Sequence, residues 1–60
     1  MKPSINNKYL WSKEKDIVQV KDMEKDLALI EMKVCSDKKY NIGDKFWVFI
    51  KDLRERQYAV

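Results

Sequence analysis

Sixty residues, with 13 Lys+Arg against 10 Asp+Glu, no His, one Cys, one Gly and one Pro, describe one small domain. Without His there is no imidazole base, no Ser-His or Cys-His nucleophile pair and no His metal ligand, and one Cys allows neither an internal disulfide nor a Cys-rich zinc site. A chain of this length buries only about 60% of its extended surface, which leaves little room for a pocket of ~300–1,000 Å³, so the expectation is a non-enzymatic protein with no cofactor, no metal and no small-molecule substrate.

In chain order, residues 1–7 (Pro3, Ser4, Asn6 and Asn7 among them) read as a flexible start, and 8–60 as a single small domain. Tyr9-Leu10-Trp11 is a short apolar cluster that fits an initial strand, and Ser12-Lys13-Glu14-Lys15-Asp16 reads as a polar connection. Ile17-Val18-Gln19-Val20 is β-branched and short, the composition of a strand. The segment after it is compatible with two readings. Met23, Leu27, Ile30 and Val34 fall on one helical face, with Asp22 available as an N-cap. The same stretch also alternates, with Ile30, Met32 and Val34 on one side and Glu31 and Lys33 on the other. The strand Ile17–Val20 ends only six residues before Leu27, and a hairpin through Lys21–Asp26 joins the two directly, so the hairpin is preferred.

Ser36–Asn41 reads as a loop. Asn41-Ile42-Gly43-Asp44 is the strongest turn signal, because the one Gly accepts φ > 0 at no steric cost. Lys45–Ile50 is aromatic and β-branched, the clearest strand. Asp52-Leu53-Arg54-Glu55 has capping-box spacing, which predicts a short helical turn beginning at Asp52. Gln57-Tyr58-Ala59-Val60 is the candidate last strand. The expected architecture is therefore mainly β: a small barrel or curled antiparallel sheet of four to five short strands with a short C-terminal helical turn. The alternative is an α+β fold with a helix at about 23–35 packed on a three-stranded sheet.

The run Tyr40-Asn41-Ile42-Gly43-Asp44-Lys45-Phe46-Trp47-Val48 resembles the aromatic–x–aliphatic–Gly–Asp lead-in to a strand in SH3-like barrels of the KOW, Tudor and integrase C-terminal types. The resemblance covers nine of the 60 residues. It implies the fold type and a habit of binding other macromolecules, and it carries over no functional residue.

Strand parity exposes a surplus of apolar side chains. Successive strand residues point to opposite faces. Phe46, Val48 and Ile50 share one face of the last long strand; Trp47 and Phe49 share the other. Leu27 and Leu29 likewise oppose Ile30, Met32 and Val34. One core cannot readily cover both faces in a chain this short. Either Tyr9-Leu10-Trp11, the segment around Leu53 or a helix folds over the second face, or Trp47, Phe49, Leu29 and Trp11 form a patch for a partner protein or a second copy. Parity alone does not say which set faces inward.

Other chemistry fits poorly. Asp22, Glu24 and Asp26 have the 1-3-5 spacing that opens a calcium loop, but Leu27 stands where the sixth-position Gly is needed and Lys33 where the twelfth-position Glu is needed. The net charge is +3, with signs interleaved in both halves of the chain, which describes a solubilising surface rather than a phosphate stripe. Lys38, Lys39, Lys45 and Lys51 could still frame Trp47 and Phe49 for contact with a nucleic-acid strand. A lone thiol with no disulfide framework fits a reducing, cytoplasmic compartment. Nowhere is there a run near the ~18 apolar residues of a membrane span or an apolar signal-peptide core, and Met1 suits a complete small gene product.

The leading expectation is an accessory regulator or inhibitor, of the kind found among phage and mobile-element proteins, that docks an aromatic patch or sheet edge on a partner protein. The alternatives are an SH3-like or OB-like nucleic-acid-binding module and a structural homo-oligomer subunit such as a homodimer.

Overall fold

The computed structural model describes residues 2–11, 16–35 and 39–55. The chain forms β1 (Lys8–Trp11), β2 (Asp16–Glu24), β3 (Leu27–Val34), β4 (Lys45–Phe49), a single 3-10 turn (Ile50–Asp52) and β5 (Leu53–Arg54). All neighbouring strands are antiparallel, in the order β4-β3-β2-β1-β5. The protein is thus mainly β. Among the described residues, no helix is long and apolar enough to cross a membrane.

Residues 23–35 contain strand, not helix. β2 and β3 form a hairpin in which Glu24 pairs with Leu27, leaving Lys25 and Asp26 as a two-residue turn. Lys25 takes the positive φ of 54° that such tight hairpin turns require. The turn is shorter than the Lys21–Asp26 loop expected from polarity, because Lys21 to Glu24 continue the strand. The local helix preference of Leu, Met, Glu and Lys is overridden by a ladder of cross-strand pairs from Ile17↔Val34 to Glu24↔Leu27.

Two bulges shape this hairpin. Lys21 is the extra residue between Val20↔Ile30 and Asp22↔Leu29, and Lys33 the extra residue between Val18↔Met32 and Ile17↔Val34. A one-residue insertion flips the face of every side chain beyond it. Val18 and Val20 point inward before Lys21, and Met23 after it; Ile30 and Met32 point inward before Lys33, and Cys35 after it. The expected alternation Ile30, Met32, Val34 therefore breaks at Lys33, and Val34 is left 49% exposed.

The sheet must curl. β4 and β5 stand at opposite ends of the strand order, four strand spacings apart, or about 19 Å if the sheet were flat. Only Ile50–Asp52 separates them in sequence, and the four steps from Phe49 to Leu53 reach at most about 14 Å when extended. Curling places one face inside. That face carries the core: Tyr9, Val18, Val20, Ala28, Ile30, Met32, Val48 and Leu53, with Trp11, Met23, Cys35, Tyr40, Phe46 and Ile50 packed against it. Cys35 is a half-buried thiol that donates to the Tyr40 carbonyl at 3.4 Å.

Several local expectations change. Asp16, read as part of a polar connection, opens β2 and is the buried charged residue of the described chain. Among the described residues no buried side-chain polar atom lacks a hydrogen-bond partner. The helical turn spans Ile50–Asp52, so Asp52 ends it instead of capping a new one. Leu53 cannot continue it, because it is drawn into pairing with Trp11. The final strand expected at 57–60 lies outside the described residues, and Leu53–Arg54 is the strand beside β1. At the other end, Asn6 donates its backbone N–H to the Val20 carbonyl at 2.7 Å, and the Tyr9 hydroxyl accepts from the Ser4 N–H at 2.7 Å.

The turn into β4 follows its sequence signal. Gly43 has φ 94°, Asp44 N–H donates to the Asn41 carbonyl at 3.1 Å, and the Asp44 carboxylate accepts from Asn41 N–H at 2.9 Å. Gly43 N–H also donates to the Met32 carbonyl at 2.8 Å, which sets the register of β4 on β3. An added Cβ at Gly43 meets nothing within 4 Å, so the objection to a side chain there is conformational. Gly43→Ala is expected to cost about 1–2 kcal/mol through the strained positive φ. Chemical denaturation checks this, with a lower midpoint and an unchanged slope.

Candidate functional site

The inward parity of Phe46, Val48 and Ile50 forces Trp47 and Phe49 outward. Pairing of β4 with β3 sets Trp47 opposite Leu29 and Phe49 opposite Leu27. Directly opposed side chains stand about 4.5–5.5 Å apart, so the four make one contiguous apolar patch on the convex face. Exposure is 54% at Phe49, 44% at Trp47 and 36% at Leu27, and Leu29 is half-buried between them. Contiguous exposed apolar patches mark interaction surfaces more often than scattered exposed residues do.

Its rim is charged and uneven. On the β2 side, Asp22 pairs with Leu29 and Glu24 with Leu27, so two exposed carboxylates border the leucines. On the β4 side, Lys45 and Lys51 stand at the two ends of the aromatic pair. The Lys51 ammonium lies 5.3 Å from the Phe49 ring centroid, within cation–π range. Beyond Phe49 opens a cleft of about 600 Å³ lined by Lys25, Asp26, Phe49, Ile50 and Lys51.

The far end of the face is organised by Glu31, opposite Lys45. Both bulge residues reach it: Lys33 Nζ at 2.8 Å and Lys21 Nζ at 3.6 Å. The Lys33 hydrogen bond, reinforced by the charges of Lys33, Lys21 and Lys45, holds the Glu31 carboxyl below its ordinary value of 4.5 against a smaller opposing effect of burial. A carboxyl depressed in the folded state contributes stability that is complete above its unfolded value and vanishes as pH falls through the lower folded value. The contribution is therefore lost on acidification below 4.5. Glu31→Gln is expected to flatten that part of the stability–pH curve while leaving its shape at neutral pH unchanged, as pH-dependent denaturation midpoints would show.

Of the residues singled out from sequence, Trp47, Phe49 and Leu29 come together on this face. Trp11 does not. Its register partners Leu53 and Asp16 are both buried, so it points inward. There it meets Tyr40 edge-on at 5.4 Å and Phe46 at 5.3 Å, while Tyr40 and Phe46 stack at 5.0 Å. This cluster completes the core beneath β4. Leu27 joins the patch in its place; parity already set it beside Leu29, and the short hairpin turn is what brings it opposite Phe49.

The candidate nucleic-acid lysines are dispersed. Lys45 and Lys51 flank the aromatics and adjoin Asp44 and Asp52, Lys39 is exposed beside Tyr40, and Lys38 lies outside the described residues. Among the described residues no group of three His, Cys, Asp or Glu side chains could hold a metal ion. No protein-family model, curated protein or solved structure matches this chain.

Proposed function

We propose that this chain is a small non-enzymatic binding protein, an accessory regulator or inhibitor, that acts by docking the Leu27, Leu29, Trp47 and Phe49 face on a partner protein. The observation that carries the reading is that Trp47 and Phe49 of β4 are turned to solvent while the smaller Val48 between them is buried. Exposed aromatics set in an apolar patch with a polar rim have the anatomy of a binding hot spot. The resemblance to SH3-like barrels is part of the same proposal, supported by a five-stranded antiparallel sheet curled until its end strands are joined by a three-residue turn.

The nucleic-acid reading draws on Lys45 and Lys51 beside two aromatics of one strand. Asp22 and Glu24 on the opposite rim weigh against it, since phosphates would approach two exposed carboxylates. Capture of partners from lysate by the tagged protein, with and without nuclease, tests the choice. A protein partner is expected to survive nuclease and to be lost with Trp47→Ala or Phe49→Ala, both variants remaining folded by circular dichroism. Capture that vanishes with nuclease would select nucleic acid, and unfolding of both variants would sink the docking reading.

A further inference from the structure

We infer that the outer edge of β4 is a strand-addition site, where an extended segment of the partner protein, apolar with acidic flanks, pairs antiparallel with Lys45–Phe49. The inference rests on the docking reading above and names the chemistry of the partner. β4 ends the strand order, and β3 is its one neighbour among the described residues. Two bonds fix which of its backbone groups face that neighbour. The Asp44 carbonyl accepts from the Met32 N–H, and the Ile50 N–H donates to the Asp26 carbonyl, each at 2.8 Å. Bonded and non-bonded pairs alternate along an antiparallel ladder, so Phe46 and Val48 also turn their backbone groups to β3. The N–H and C=O groups of Lys45, Trp47 and Phe49 point the other way, and among the described residues nothing pairs with them. Donor and acceptor then repeat every ~6.8 Å along the edge, a spacing that another extended backbone satisfies group for group. Proline and bulges, which commonly blunt such an edge, are absent from Lys45–Phe49.

The side chains select the segment. Directly paired residues project to the same face, so the added strand widens the apolar face past β4. Two apolar residues fall opposite Trp47 and Phe49, and the positions flanking them fall at Lys45 and Lys51. Both lysines are exposed, and among the described residues neither makes an ion pair. Glu31, opposite Lys45, is already bound by Lys33 and Lys21, so that end holds three ammonium groups for one carboxylate. The Asp44 carboxylate is held by the Asn41 N–H. At the other end the Lys51 ammonium lies over the Phe49 ring, and neither Asp26 nor Asp52 is in ion-pair contact with it. The matching segment therefore reads carboxylate–x–apolar–x–apolar–x–carboxylate. The same lysines disfavour a second copy, whose own edge would bring Lys45 against or diagonal to Lys51.

Amide hydrogen exchange and NMR titration test it. In the free protein the amides of Phe46, Val48 and Ile50 are expected to be protected, and those of Lys45, Trp47 and Phe49 to exchange rapidly. The probe is the end-capped peptide Glu-Thr-Val-Thr-Val-Thr-Glu, added to about 1 mM, which is expected to protect the second set. N-methylation of both valine amides, which point at β4, should weaken binding at least about tenfold. N-methylation of the central threonine, whose amide points away, should leave it unchanged. Lysine in place of both glutamates should weaken binding about tenfold, and Lys45→Glu with Lys51→Glu in the protein should restore it. Circular dichroism confirms that the variant is folded. Protection of both sets of amides in the free protein overturns the inference, because the chain then covers its own edge. Absence of binding at about 1 mM overturns it too, as does binding indifferent to valine N-methylation, which would put the peptide on the aromatic face without strand addition. Self-association reversed by the peptide would give the edge to a second copy, and displacement of the peptide by a single-stranded oligonucleotide would give it to nucleic acid; either overturns the inference. A protein that ignores the peptide while its partner capture still depends on Trp47 loses only the strand addition. One whose capture also ignores Trp47 loses the docking reading as well.

Discussion

Ile30→Ala is expected to remove a large share of the domain's stability and to lower its denaturation midpoint sharply. Ile30 is fully buried at the middle of β3, opposite Val20 on one side and Phe46 on the other. Truncating such a side chain removes its transfer free energy and leaves a cavity, at a cost of about 2–5 kcal/mol. A domain of this size has roughly 3–9 kcal/mol of stability in total. The loss is therefore comparable with the whole. Ile30→Val removes one methylene and should cost only about 0.5–1.5 kcal/mol. Equilibrium denaturation of the two variants checks the ratio. A cost below about 1 kcal/mol for the alanine variant would mean that the inward face of β3 is not the core.

The second large effect separates the two tryptophans. Trp11→Ala removes one wall of the Trp11, Tyr40 and Phe46 cluster, whose centroids lie 5.0–5.4 Å apart. Full burial would set the cost at about 3–5 kcal/mol; Trp11 is half-buried, so about 2–3 kcal/mol is expected. Trp47→Ala removes a side chain that is 44% exposed and touches the sheet on one flank. It should cost less than about 1 kcal/mol and abolish docking. Fluorescence gives an independent readout. In Trp47→Phe the remaining emission should come from a shielded indole and resist acrylamide quenching, whereas in Trp11→Phe it should be readily quenched. The same response from both variants would overturn the assignment of inner and outer faces.

Much of this fold was legible locally. The β-branched run at Ile17–Val20, the aromatic strand and the Gly43 turn each carry their own physical signature; the aromatic strand, expected at Lys45–Ile50, ends at Phe49, where Ile50 opens the 3-10 turn. The helix alternative at 23–35 survived in the sequence because Met23, Leu27, Ile30 and Val34 follow the helical period while Ile30, Met32 and Val34 follow the strand period, and so short a span does not decide between them. Hydrogen bonding of β3 to strands on both sides removes it. The bulges at Lys21 and Lys33 had no sequence signal, because a bulge is a mismatch between two strands and neither strand contains it alone. The fate of Val34 and Cys35 follows from that mismatch. Trp11 was misjudged for the same kind of reason: its face is set by pairing with Leu53, 42 positions later in the chain.

The candidate site shows the same division. The sequence by itself determined that this chain has no imidazole chemistry, no internal disulfide and no Cys-rich zinc centre, that Trp47 and Phe49 share a face, and that more apolar side chains are present than one small core can readily cover. Those conclusions need only residue identity and the two-residue period of a strand. Only the tertiary structure decided which parity faces out, and that Leu27 and Leu29 join the aromatics while Trp11 leaves them. The reason is that a strand's two faces are equivalent until the sheet curls. Curling is forced by the three-residue link between strands that stand at opposite ends of the sheet, and it buries Val48 while leaving Trp47 and Phe49 in solvent.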